Sequence, residues 1–201
     1  MATTSRTSRP TSWTWLGEFL ATQRVSISFL IFSLLVLRDV GAGNRVRNPC
    51  NWHDGWAMLG LMLVSLGLGL RSWSAGVLHK GHELATTGPY QLCRHPLYLG
   101  SMLMMFGFCF LMADAFDALV VAAVLCIVYL PTIRREERKL AARYGERWEA
   151  FTRETPAILP WRWPTRLAIA WSWRQWLRNR EYNAVLASVG ALVGLYVWAA
   201  Q

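Results

Sequence analysis

The sequence predicts an all-α integral membrane protein with about five transmembrane helices and a cytoplasmic amphipathic helix after the fourth. Three observations carry this reading. The 201 residues are 54% hydrophobic and only 16% charged, where a soluble domain carries about a quarter charged residues. The apolar residues gather into long runs instead of alternating faces. The formal charge of +9 is concentrated in the polar connections between those runs, which suits anionic lipid headgroups better than nucleic acid. The 12 tryptophans fit the membrane–water interface, which that side chain favours.

Residues 1–15 begin Ser/Thr/Arg-rich and acid-free, and read as a disordered tail; residues 16–201 read as one membrane domain. A cleaved signal peptide is not expected, because the first apolar run starts late and no small-residue cleavage site follows it. That first run covers about Val25 to Leu37, behind an interfacial Trp13/Trp15/Phe19 lead-in. The second covers about Trp56 to Leu70, the third about Leu97 to Met112, the fourth about Phe116 to Leu130 and the fifth about Ala184 to Ala200. Several fall short of the roughly 20 residues a span needs, and flanking Trp, Tyr and Arg extend them toward the interfaces.

Segments three and four are joined only by Ala113-Asp114-Ala115, which forces an antiparallel hairpin. That tip holds no Lys or Arg, whereas the connections before segment three and after segment four are rich in them. The positive-inside rule then places the tip outside and the two polar connections in the cytoplasm. Arg45 and Arg47 fall on the predicted outer side, against the rule. After Pro131, Ile133, Leu140, Tyr144, Trp148 and Phe151 recur at helical spacing with the arginines mostly on other faces, as in an amphipathic helix broken at Gly145 and lying at the membrane surface. Glu136 and Glu137 flank its apolar stripe on opposite sides, Glu137 nearer the centre. Cys50, Cys93, Cys109 and Cys126 have no paired spacing, so neither a metal signature nor a disulfide framework is expected.

The chemistry-bearing stretch runs from Gly88 to Gly100 and places Tyr90, Arg94, His95 and Tyr98 at a membrane boundary. Ionisable groups there are costly to desolvate and mark a functional site by default. Pro96 suits the first turn of a helix, which leaves Arg94 and His95 at a mouth whose free N–H groups favour an anion. The bland alternative has Arg94 snorkelling to lipid phosphates and His95 capping the helix.

The run His82-Glu83-Leu84-Ala85-Thr86-Thr87-Gly88-Pro89-Tyr90, followed by Arg94-His95-Pro96-Leu97-Tyr98-Leu99-Gly100, resembles the cofactor-binding core of the isoprenylcysteine carboxyl methyltransferase family. Glu136-Glu137, Leu140, Tyr144-Gly145, Trp148 and Pro156 to Pro160 are similar to that family's closing motif, so the likeness covers about residues 79–161. It implies an integral membrane enzyme that takes S-adenosylmethionine from the cytosol and methylates a carboxylate on a lipophilic substrate. Carried over, cofactor contacts fall on His82, Glu83, Leu84, Ala85, Tyr90, His95, Pro96, Leu97 and Tyr98, and on Glu136 or Glu137. The alignment favours Glu136 and periodicity favours Glu137. A glutamate suits the cofactor's ammonium, an arginine or histidine its carboxylate, and a tyrosine face its sulfonium.

One departure stands out. The family's substrate-facing arginine, four residues before the glutamate, falls on Thr132. Arg94, Arg134 and Arg135 are the remaining candidates for the reacting carboxylate, with lipid-phosphate contact the competing role for the last two. Asn179-Arg180-Glu181-Tyr182 resembles bacterial members without an evident mechanism, and a solvated interfacial turn is the role expected of it. Two other classes compete: NADPH-dependent membrane sterol reductases, which share the Tyr144-to-Pro160 pattern, and a non-enzymatic membrane scaffold. The partners expected are the bilayer and a lipophilic methyl acceptor, and not nucleic acid.

Overall fold

A computed structural model describes residues 30–79, 83–161 and 171–201. His82 and the N-terminal tail lie outside the described residues. The described residues form helices and turns, with no strand among them. In order they are α1 (30–42), α2 (Gly55–Val77), a 3-10 turn (Gly88–Gln91), α3 (Pro96–Met112), α4 (Ala115–Tyr144), α5 (Glu146–Glu154), α6 (Trp173–Arg178) and α7 (Tyr182–Ala199). Helices α2, α4 and α7 are long and apolar enough to cross a membrane, while α3 is a shorter apolar helix. α1 begins at the edge of the described residues, and its portion of the first apolar run is helical.

Helices α2 and α3 form the tightest pair because glycines meet across it. A Cβ on Gly60 would sit 2.8 Å from the Gly107 carbonyl oxygen, and one on Gly67 would sit 2.5 Å from that of Gly100. Backbones approach this closely only where side chains are absent, the small-residue packing typical of membrane helices. Around this pair, Leu35 of α1, Val64, Phe108, Leu111, Val121 of α4 and Leu195 of α7 form one apolar core. A second cluster, Tyr98, Val124, Val128, Tyr129 and Ile133, leads from that core to the site.

The α3–α4 hairpin is as tight as expected: Ala113 turns through the left-handed region (φ 61°) and the Asp114 carboxylate caps α4 by accepting from Phe116 N–H at 2.8 Å. At this end Arg38 Nη1 bonds to Asp39, Asp114 and Asp117 at 2.9, 2.8 and 3.3 Å. The three carboxylates bring one oxygen each within 4.8 Å of one another, and the Arg38 guanidinium supplies the cation such a group calls for. Arg47, one of the two charges that offend the topology, is paired with Asp54 at 2.7 Å.

Helix α4 does not stop where the sequence changes character. It runs through a π turn at Leu125–Tyr129 and on to Tyr144, so the apolar run and the amphipathic stretch are one continuous rod. The π turn lies immediately before Pro131, whose ring would press on the carbonyl of residue 127 in a regular α-helix. Leu130 N–H bonds back five residues to Leu125 O, and the Thr132 hydroxyl donates to Val128 O at 2.6 Å. The break falls at Gly145, as the sequence predicts, with a positive φ of 51° that disfavours other residues.

Candidate functional site

The segment between α2 and α3 is built to be held from two sides. Gly88, with φ 60°, starts the 3-10 turn that buries Pro89 and Tyr90. Pro96 opens α3 at its first turn, as expected. The backbone N–H groups of Arg94 and His95 donate to Pro156 O and Ala157 O at 2.8 and 3.0 Å. The two halves of the sequence pattern, far apart in the chain, are therefore in direct contact.

Arg94 is the fastener of that contact. Its Nε and Nη2 donate to Glu137 Oε1 at 3.0 and 2.6 Å, and Nη1 donates to Thr155 O at 2.6 Å. Its guanidinium also lies 5.7 Å from the Trp148 ring. His95 is buried but does not cap α3 with its side chain; its Nε2 lies 3.3 Å from Glu137 Oε1. Burial holds the His95 pKa below its ordinary value, against the opposing pull of Glu136 and Glu137. Burial likewise pushes the Cys93 thiol up to about 11, so it stays protonated at neutral pH.

The two adjacent glutamates divide the work. Glu137 is spent on Arg94 and His95, whereas Glu136 lines a cavity and accepts from the Tyr98 hydroxyl at 2.8 Å. Tyr98 packs edge-on against His95 and Tyr129, with ring centroids 5.6 and 5.8 Å away.

That cavity has a volume of about 970 Å³, at the upper end of the roughly 300–1,000 Å³ of small-molecule sites. Of the residues expected from the sequence, Glu83, Leu84, Ala85, Tyr90, Arg94, His95, Pro96, Leu97, Tyr98 and Glu136 line it. Glu137 and Arg134 line a separate shallow groove, and Arg135 lines neither. His82 falls outside the described residues. The Tyr90 hydroxyl is buried on this cavity with no hydrogen-bond partner among the described residues. A buried, unpartnered hydroxyl is costly, and together with the Glu136 carboxylate it fits a polar, cationic guest such as S-adenosylmethionine.

Sequence reasoning missed one wall. Arg71 of α2, Ser101 of α3, Tyr129 of the π turn and Glu181 before α7 also line the cavity. Arg71 stands just beyond the second apolar run as read from the sequence but inside α2, and a cation that close to an apolar run was itself the available signal.

Comparison with known proteins agrees with this geometry. The phospholipid methyltransferase family model matches residues 55–147, from the start of α2 to just past Gly145. The chain is 33% identical over 144 residues to the cobalt-zinc-cadmium resistance protein of Cupriavidus metallidurans, covering 68% of this chain and 61% of that one. It is 28% identical over 155 residues to the nickel-cobalt-cadmium resistance protein of Alcaligenes xylosoxydans, covering 72% and 68%. It is also 28% identical over 98 residues to the protein-S-isoprenylcysteine O-methyltransferase of Schizosaccharomyces pombe, covering 49% and 42%. The chain thus spans between about two fifths and two thirds of these relatives' lengths. No solved structure matches it significantly. The segment similar to the phospholipid methyltransferase family, residues 55–147, contains α2, α3, α4 and each of the cavity-lining residues expected from the sequence.

Proposed function

We propose that this protein transfers the methyl group of S-adenosylmethionine to a lipophilic acceptor, most simply a carboxylate of the isoprenylcysteine type, from a cavity that faces the cytoplasm. The observation that carries the reading is the convergence of Glu136, the unpartnered Tyr90 hydroxyl and the His95–Tyr98 pair on one cavity at the end of apolar helices. Glu136 suits the cofactor's ammonium, the tyrosine rings its sulfonium, and the backbone beside Glu83, Leu84 and Ala85 its adenine edge.

When bound, the cofactor supplies an electrophilic methyl. Glu136, Tyr90 and Tyr98 would hold it so that an acceptor oxygen could take that methyl, with the C–S electron pair left on sulfur. An ionised carboxylate needs no general base for this step. Charge is neutralised as the bond forms, so a site that excludes water favours the transition state over the separated ions. The chain's own contribution is to hold both partners in line and keep water out.

Direct binding to purified protein in detergent tests the reading. S-adenosylmethionine or its demethylated product is expected to bind in the micromolar range (roughly −8 kcal/mol), weakened about tenfold or more in His95→Ala and Glu136→Gln. Binding of NADPH in its place would make the protein a reductase; binding of neither would make it a scaffold.

A further inference from the structure

The Asn179–Glu181 turn does more than connect α6 to α7. Asn179 Nδ2 donates to the carbonyls of Ala75 and Leu78 at 2.7 and 2.9 Å, and the Gln175 amide donates to Leu78 O as well. These side chains satisfy the free carbonyls at the end of α2 and pin the turn there. Arg180 adopts a left-handed φ of 56°, unusual for a residue with a Cβ. The turn so held delivers Glu181, only 4% exposed, to Arg71.

Arg71 Nε and Nη2 donate to Glu181 Oε1 and Oε2 at 2.7 and 3.0 Å, and Nη1 donates to Ser101 Oγ at 2.5 Å. Arg71 lies six residues before the end of α2, about 9 Å along its axis. A buried ion pair at that depth is a poor source of stability, because desolvation cancels most of its attraction. Among the described residues three of the five guanidinium N–H groups are used, which leaves two for a guest in the cavity that Arg71 lines.

The other arginines on this cavity are differently placed. Arg94 is committed to Glu137 and Thr155, and Arg143 and Arg180 are exposed. Arg71 is half-buried, and Ala75, Ser101 and, from α7, Ala184 and Ala187 line the cavity with it. Meanwhile Thr132, which stands where the resembling family has its substrate-facing arginine, is buried and turned back onto Val128 O.

We propose that Arg71, braced by Glu181 and Ser101, anchors the carboxylate of the methyl acceptor, so that the Asn179–Tyr182 turn serves acceptor recognition. This deepens the methyltransferase reading and rests on it. The brace also suits the chemistry. A lone guanidinium would damp the nucleophile it holds, whereas one whose charge is already offset by Glu181 orients the carboxylate through its remaining N–H groups and leaves the cofactor's sulfonium to balance its charge.

Titration calorimetry on the full chain in detergent tests this with N-acetyl-S-farnesylcysteine and its carboxamide, each with and without S-adenosylhomocysteine. Wild type is expected to bind the acid about tenfold tighter than the carboxamide. Arg71→Gln is expected to erase that preference while leaving S-adenosylhomocysteine affinity within about twofold, a difference below half a kilocalorie. The exchange Arg71→Glu with Glu181→Arg keeps the ion pair but moves the cation. It is expected to restore thermal stability lost in Arg71→Gln and not the acid preference. Equal binding of acid and carboxamide to wild type, a preference that survives Arg71→Gln, or its full return in the exchange would each overturn the proposal. Failure of wild type to bind S-adenosylhomocysteine would instead sink the methyltransferase reading, and the arms without it still report on Arg71.

Discussion

Two neighbouring glycines on α2 give the packing account a test with its own control. A Cβ added to Gly67 would meet Gly100 O at 2.5 Å, Met104 Cγ at 2.7 Å and Met104 N at 2.9 Å, while one added to Gly69 meets nothing within 4 Å. The nearest atom is backbone and cannot swing aside, so Gly67→Ala leaves it about 0.9 Å inside the 3.4 Å where ordinary contact begins. Helix propensity favours alanine by about 1 kcal/mol at both sites and cancels in the comparison. What remains is the overpacking cost at the α2–α3 crossing, about 1–3 kcal/mol. Equilibrium unfolding with increasing SDS in mixed micelles should place Gly67→Ala below Gly69→Ala by that margin, with Gly69→Ala at or above wild type. Equal stability of the two variants, within about 0.5 kcal/mol, would refute the close crossing.

Exchanging the two glutamates one at a time should separate their roles: Glu136→Gln lowers cofactor affinity with little change in melting temperature, whereas Glu137→Gln strands Arg94 and costs about 3 kcal/mol of stability, read by thermal unfolding. Tyr90→Phe removes a buried hydroxyl that has no partner among the described residues and is expected to stabilise the unliganded protein by about 1 kcal/mol while weakening S-adenosylhomocysteine; a loss of stability without a loss of affinity would contradict that assignment. The depressed His95 pKa makes folding pH-dependent, since the unfolded imidazole, with its ordinary value of 6.5, takes up a proton the folded one resists. Its contribution is complete above pH 6.5 and is lost as pH falls from there through the folded value, so melting temperature should fall over that range in wild type and less steeply in His95→Asn.

The helical class and most of the cavity lining were legible because they rest on local signals: apolar runs, Gly-Pro-Tyr and His-Pro punctuation, and a glutamate pair at fixed distance from Pro131. Periodicity ranks the glutamates by distance from an apolar stripe, which does not tell which of them reaches the cavity. Here the residue nearer the stripe, Glu137, is taken by Arg94 from α3's mouth, a tertiary contact across 43 positions. Gly67 and Gly69 look alike in sequence, and only the crossing with Gly100 tells them apart. The continuity of α4 was illegible for a similar reason: Pro131 reads as punctuation unless a wider turn is seen to absorb it.

That wider turn sets more than continuity. A π turn takes up about one residue more than the α-helical path, and one residue is about 100° of rotation. Were Leu125–Tyr129 regular, everything beyond would be turned by that angle, and Arg135 would point where Glu136 now points. The electrical sign presented to the cavity is thus chosen two to three turns upstream, within the apolar stretch, by backbone geometry alone. Single-residue insertions and deletions there are therefore changes of chemistry at a distance, and a compensating shift in turn type is what allows such a helix to vary in length while keeping its acid in place.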